Sequence, residues 1–352
     1  MSSAVPADPA SAAGAMARIG LGGAALGNLF EVVDDAEVRR LLDAAWTDGC
    51  RRFDTAPHYG HGLSERRFGD ALRRRARDGF VLSSKVGRLL TPAQSVPREQ
   101  HAYVDGLPFV QHWDFSAAGT RRSVEDSLQR LGLARLDIAY VHDMDRHTHG
   151  AHADAVLRQV LDETLPALAD LRREGLVGAI GLGVNDEQAV RDVLRHADLD
   201  AVLVAGRYTL LDHAALAQML PACAARGVRV ALGGVFNSGL LALGTRGGPA
   251  TFNYAPAARE WLERTARIEA VCAEHAVPLR AAALQFPLAH PAVGELLLGA
   301  RSVAEWRDNL AMLAHPIPED FWRALRTRGL IPEEAPTPQA PARHAFASVT
   351  DA

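Results

Sequence analysis

The sequence predicts a single-domain α/β protein, a (β/α)8 TIM barrel, and three observations predict it. Short β-type runs alternate with helical patterns, which implies a parallel sheet, and eight such units favour closure into a barrel. Two connections, 87–119 and 233–256, are longer than usual and follow the third and seventh runs. Residues suited to chemistry fall at the C-terminal ends of the runs, where such barrels carry their active sites.

In chain order, the predicted strands are the run at 18–22, the run ending at Phe53, and those beginning at Phe80, Leu136, Val177, Ala201, Val228 and Glu295. Asp34 and Asp35 can open the first helix. Before the fifth strand, Val156, Leu157, Val160, Leu161, Leu165, Leu168 and Leu171 recur at helical spacing and line one apolar face. Gly132 and Gly175 stand where C-terminal glycine stops are expected. The barrel is expected over 16–331. Residues 1–15, Ala/Ser/Pro-rich, read as a disordered N-terminal segment, and 332–352 as a Pro/Ala-rich C-terminal tail.

With 48% hydrophobic and 23% charged residues, the 352-residue chain can bury a sizeable core. A net charge of -4 argues against nucleic acid as the main partner. No apolar run is long enough for a bilayer, and the first fifteen residues lack the pattern of a signal peptide. Cys50, Cys223 and Cys272 show no metal or disulfide spacing, so a reducing, cytoplasmic setting is expected. Among 38 basic residues only Lys85 is a lysine, which raises the question of what arginine cannot do there.

Two motifs compete for attention and are set aside. Gly20, Gly22 and Ala25 match a dinucleotide-binding GxGxxA, but another apolar, glycine-bearing stretch follows instead of a helix, and Asp54 lies too far along. The cluster His142, Asp143, Asp145, His147, His149 and His152 could suggest a metal site. It lacks the His-x-His on the first strand usual in metal-dependent hydrolase barrels, and all but His142 lie in a polar loop, so no metal is expected.

A third group is chemically coherent. Asp54 closes the second strand, Lys85 the third and His142 the fourth, while a short loop stiffened by proline and glycine carries Tyr59. Consecutive strands bring these four to one mouth. A phenol titrates near pH 10, and a neighbouring ammonium is expected to lower that value. The carboxylate holds the ammonium, and the imidazole donates a hydrogen bond to a substrate oxygen. A compact ammonium suits this place better than a forked guanidinium.

At these residues the chain resembles the aldo-keto reductases. The resemblance covers roughly 16–313 and rests on FDTAPHYGHGLSE at 53–65, SVEDSLQRLGLARLDIAYVHD at 123–143, GLGVND at 181–186 and GARSVAEWRDNL at 299–310, in family order. It implies a barrel binding NAD or NADP without a Rossmann domain and a catalytic tetrad of Asp54, Tyr59, Lys85 and His142. Segments 114–123, 205–212 and 233–241 look most like bacterial L-fucose or D-threo-aldose 1-dehydrogenases and pyridoxal 4-dehydrogenases. The implied activity is therefore oxidation of a sugar hemiacetal to a lactone. The alternatives are pyridoxal oxidation, general aldehyde reduction, or a cofactor-binding regulatory subunit with little turnover.

The resemblance also implies cofactor contacts. Asn185 would hold the carboxamide, with Val184 standing where the family usually has serine. Ala205 replaces the usual glutamine, and Gly233 replaces the aromatic that stacks on the nicotinamide; Tyr208 or Phe236 would compensate. Gly234, Ser238 and Gly239 belong to the seventh-strand loop, and Gly299, Arg301, Ser302, Glu305 and Asn309 to the segment gripping the adenosine. Glu305 stands where NADP-preferring members carry a basic residue, so NAD is the expected cofactor. Phe109, His112 and Trp113, in the long loop after the third strand, are candidate substrate walls.

Overall fold

The computed structural model describes residues 16–248 and 250–339. Eight parallel strands close on themselves in chain order: β1 (Ile19–Gly22), β2 (Arg52–Asp54), β3 (Val81–Val86), β4 (Leu136–His142), β5 (Val177–Val184), β6 (Ala201–Ala205), β7 (Arg229–Gly233) and β8 (Val293–Gly299). All eight predicted runs are strands, with ends shifted by a residue or two, and Gly22 pairs with Gly299 to shut the ring. Ile138, Tyr140, Ala179, Leu203, Ala231 and Leu297 fill the interior. The larger core lies between the strands and the surrounding helices.

Local chemistry sets the helix ends. Asp34 caps the first helix, α1 (Asp35–Thr47), accepting from Ala36 N and Glu37 N. Next come α2 (Leu63–Leu72) and α3 (Ala117–Leu131), the latter stopping at Gly132, whose φ of 64° suits glycine. The apolar face before β5 is realised as α4 (Ala153–Gln159) and α5 (Leu165–Arg173), joined through a π-type turn over Val160–Thr164. Then follow α6 (Glu187–Leu194), α7 (Met219–Ala225), α8 (Arg259–Glu274), α9 (Leu279–Leu288), α10 (Val303–Ala314) and α11 (Glu319–Thr327).

The two long connections are built, not open. After β3 the chain forms an antiparallel hairpin of Arg88–Pro92 with Phe109–Trp113, and a smaller one of Glu99–Gln100 with Tyr103–Val104. Asn28 docks the smaller hairpin over the mouth, its amide donating to Val104 O at 3.0 Å. The connection after β7 carries a short helix, Leu240–Leu243, and a two-residue pairing, Thr251–Phe252 with Ala255–Pro256.

The expected N-terminal segment, 1–15, lies outside the described residues, as does the tail beyond 339. From Pro332 the chain does not leave the body at once. Ala335 is buried, and Arg326 donates to both Ala335 O and Thr337 Oγ1 at 2.9 Å. No helix among the described residues is long and apolar enough to cross a membrane.

Candidate active site

Strand register builds the site. Asp54 ends β2 opposite Ser83, and Lys85 pairs across β3 and β4 with Tyr140. His142 ends β4 opposite Gly183 of β5. Lys85 Nζ donates to Asp54 Oδ2 at 2.7 Å and to Thr55 O at 3.0 Å, while Ser83 Oγ donates to Asp54 Oδ1 at 2.7 Å. Both charges are almost wholly buried, so each depends on the other for compensation. Gly183 leaves room for the lysine stem: a Cβ there would sit 3.3 Å from Lys85 Cε.

Tyr59 is placed by glycine contacts. Gly60 lies against Gly27 so closely that a Cβ would come within 2.4 Å of Gly27 O, and its φ of +64° favours glycine. The Lys85 ammonium stands over the Tyr59 ring, 4.5 Å from its centre, and the His142 ring is 6.1 Å away edge-on. The four predicted residues therefore meet at one mouth. One electrostatic expectation is corrected. Burial pushes the Tyr59 phenol well above its ordinary value, and the Asp54 carboxylate adds to the shift. The Lys85 ammonium does not offset this rise, its charge being engaged by Asp54 and Thr55 O. Burial, then Arg88 and Lys85, hold His142 well below the usual imidazole value, so it is neutral at physiological pH.

A cavity of about 330 Å³ opens over these groups. Tyr59, Lys85, His142 and Asn185 line it, together with His58, His101, Tyr103, Asp143 and Tyr254, to which sequence reasoning assigns no role here. His58 adjoins Tyr59 in sequence, and Asp143 stands out in the sequence only as a candidate metal ligand. His101 and Tyr103 come from the small docked hairpin, whose position carries no periodic signal. Asp143 and Asp145, expected in a solvated loop, are buried. No group of three or more His, Cys, Asp or Glu among the described residues is arranged to hold a metal ion.

The expected substrate walls are not walls of this cavity. Phe109, His112 and Trp113 lie on the larger hairpin, paired with Pro92, Leu89 and Arg88. Trp113 instead covers the Arg88 guanidinium at 3.8 Å and packs on His149 at 4.6 Å. Its neighbour Arg88 carries the link inward.

The cofactor expectations divide. Tyr208 is fully buried against Phe286 and His290, each 5.3 Å between ring centres, so it is removed as a nicotinamide contact. Phe236 is half-buried near Arg280 and does not line the cavity. Gly234, Ser238 and Gly239 fall in a run of left-handed residues after β7, where Ser238 Oγ accepts from Tyr254 N at 3.0 Å. At the β8 end, Gly299 leaves open space beside Gly22, with no atom within 4 Å of the point a Cβ would occupy. Asn309 is buried between Gly299 O and Arg280, and Ser302 caps α10 by accepting from Glu305 N at 3.1 Å. Arg301 sits between Glu31 and Glu305, whose carboxylate also accepts from Arg301 N at 2.9 Å.

These residues suit a nicotinamide dinucleotide. Asn185 lines the cavity beside the tetrad, and Gly299 keeps open space just before the capped start of α10.

Comparison with known proteins agrees with this arrangement. The Aldo/keto reductase family model matches residues 18–327. The chain is 43% identical over 326 residues to the pyridoxal 4-dehydrogenase of Microbacterium luteolum, covering 89% of this chain and 94% of that one. It is 42% identical over 339 residues to the D-threo-aldose 1-dehydrogenase of a Pseudomonas species, covering 94% and 99%. In fold it is similar to a glycerol dehydrogenase from Gluconobacter oxydans, at a TM-score of 0.66 and 21% identity over 92% of this chain and 94% of that one. An aldo-keto reductase from Bacillus halodurans gives a TM-score of 0.67 and 23% identity over 93% and 95%. A closed eight-stranded barrel, a buried Asp–Lys pair beneath a tyrosine, and a match along nearly the whole chain lead to one statement: the chain belongs to the aldo/keto reductase family.

Proposed function

We propose that this protein is an NAD-linked dehydrogenase of cyclic hemiacetals, acting on the anomeric carbon of an aldose of the L-fucose or D-threo type and giving a lactone. The observation that carries the reading is the tetrad, built on the buried Asp54–Lys85 pair, at the cavity, in a chain whose 42% identical relative is named for oxidation at aldose carbon 1. When bound, a nicotinamide cofactor supplies the hydride acceptor for oxidation and the donor for reduction. Asn185 would hold its carboxamide, and Gly299, Ser302 and Asn309 its adenosine half.

Tyr59 handles the proton. In oxidation its phenolate takes the proton of the anomeric hydroxyl, and in the reverse direction the phenol returns it. Positioned proton transfer of this kind contributes about 10²–10⁴-fold. His142, neutral, donates to the same substrate oxygen and orients it. Lys85, fixed by Asp54, keeps positive charge below the ring, where it acts on phenolate more than on phenol.

Pyridoxal is the second reading, favoured by the name of the 43% identical relative. Its aldehyde and neighbouring hydroxymethyl group close into a five-membered hemiacetal, so it offers the site the same reacting group. Steady-state rates with L-fucose, D-arabinose, L-galactose and pyridoxal, each with NAD and NADP, test both. Highest kcat/KM on an aldose with NAD supports the first reading, and on pyridoxal the second. No turnover of any of them overturns both.

A further inference from the structure

Asp143 follows His142 directly, yet it is built unlike a loop residue. It is buried, lines the cavity, and has a φ of +45°, a left-handed conformation uncommon outside glycine. Its backbone N–H is tied to Gly183 O at 2.9 Å. Local strain of this kind persists where the surroundings over-determine it, and it gathers at functional sites.

The carboxylate faces two donors and one imidazole nitrogen. Arg88 Nη2 donates to Oδ2 at 2.7 Å, and Asn185 Nδ2 donates to Oδ1 at 3.3 Å. His142 Nε2 lies 3.5 Å from Oδ2. Arg88 is in turn held from outside: Trp113 covers it, and its Nη1 donates to Gln111 Oε1 at 3.4 Å, an oxygen shared with His58 Nδ1 at 2.9 Å. One buried carboxylate thus reaches both the imidazole and the amide of the candidate machinery, and the larger hairpin anchors it.

A neutral imidazole carries its proton on one nitrogen, and the neighbouring groups decide which. His142 Nδ1 is buried with no partner, so a proton there would be an unsatisfied donor. A carboxylate beside Nε2 favours the proton on Nε2, the nitrogen that can donate to a substrate oxygen. We infer that Asp143, anchored by Arg88, is a positioning residue that holds His142 as the Nε2–H tautomer and orients the Asn185 amide.

This inference rests on the roles of His142 and Asn185 given above, but its first readout needs no turnover. Two-bond 1H–15N spectra of histidine rings in the full-length labelled chain report the tautomer, with the His142 signal identified by its loss in His142→Asn. Expected are Nε2–H in the natural protein and a mixed or Nδ1–H state in Asp143→Ala. The same variant should show a kcat about 10- to 100-fold lower and a several-fold weaker cofactor Kd. A natural-protein His142 in the Nδ1–H state overturns the proposal. So does an Asp143→Ala chain that keeps its Nε2–H signal and its kcat within twofold, whatever its melting temperature. If that variant fails to fold, Arg88→Met decides. Without the guanidinium, Asp143 is protonated at higher pH, so kcat should fall on the acid side at a higher pH than in the natural protein; superimposable profiles overturn the proposal. A protein inactive on every substrate with an intact Nε2–H signal would refute the proposed activity and leave the positioning role standing.

Discussion

The Lys85 ammonium and the Asp54 carboxylate form a buried ion pair at 2.7 Å, directly beneath the Tyr59 ring. Removing one partner of such a pair leaves an uncompensated charge, a loss of about 3–5 kcal/mol. Lys85→Met should therefore lower both the melting temperature and kcat. Lys85→Arg keeps the charge but crowds Gly183, where only a hydrogen faces the lysine stem, and kcat should fall by on the order of 100-fold or more. Near-normal kcat in Lys85→Arg would return the lone lysine to composition.

Tyr59→Phe should reduce turnover by at least about 10²-fold and leave cofactor affinity nearly unchanged, as titration of cofactor fluorescence would show. Burial raises the phenol's pKa, so the phenol form dominates at neutral pH. In the proposed mechanism oxidation uses the phenolate, so its rate should climb as pH rises through and above neutrality, while reduction stays high. An oxidation rate flat from pH 7 to 10 would remove Tyr59 as the base.

Gly60→Ala places a Cβ 2.4 Å from Gly27 O, at a φ of +64°. Overpacking and strain together should cost about 1–3 kcal/mol. Because Tyr59 precedes the contact, kcat should drop along with the urea midpoint. A stable variant with unchanged kcat would show that the two loops can part without moving the phenol.

Burial holds His61 and His213 at about 4, below the ordinary 6.5. The unfolded chain takes up protons near 6.5, whereas the folded chain resists until about 4. More protons are bound unfolded in that window, so stability is lost as pH falls through it. Urea midpoints measured from pH 7.5 down to 4 should decrease, and His61→Leu should flatten part of the slope. A midpoint independent of pH would contradict the assignment.

Glu305 and Glu31 both pair with Arg301, so the proposed adenosine end has no free cation at that position. The kcat/KM for NAD should exceed that for NADP by on the order of tenfold, about 1.4 kcal/mol. Glu305→Lys should narrow or reverse the ratio. Equal values in the natural protein would defeat the NAD preference.

The group at the barrel mouth was legible because strand ends are legible. Asp54, Lys85 and His142 sit at the ends of apolar runs, and adjacent parallel strands leave little freedom in where those ends meet. The outer parts were not. Phe109, His112 and Trp113 lie in a long connection that reads as a loop, and the hairpin it forms with Arg88–Pro92 leaves them outside the cavity's lining. Tyr208 reads as one more aromatic near a strand end; its burial against Phe286 depends on a helix some seventy residues on.

The sequence by itself determined the barrel, its strand order and the four residues at its mouth, because periodicity and short-range register are local properties of the chain. Tertiary structure alone decided the charge state of the site and its walls. The phenol's pKa follows from how much water the closed fold removes, not from which residues are neighbours in sequence. Asp143 gained its contacts to Arg88 and Asn185 only when three separate segments packed against one another.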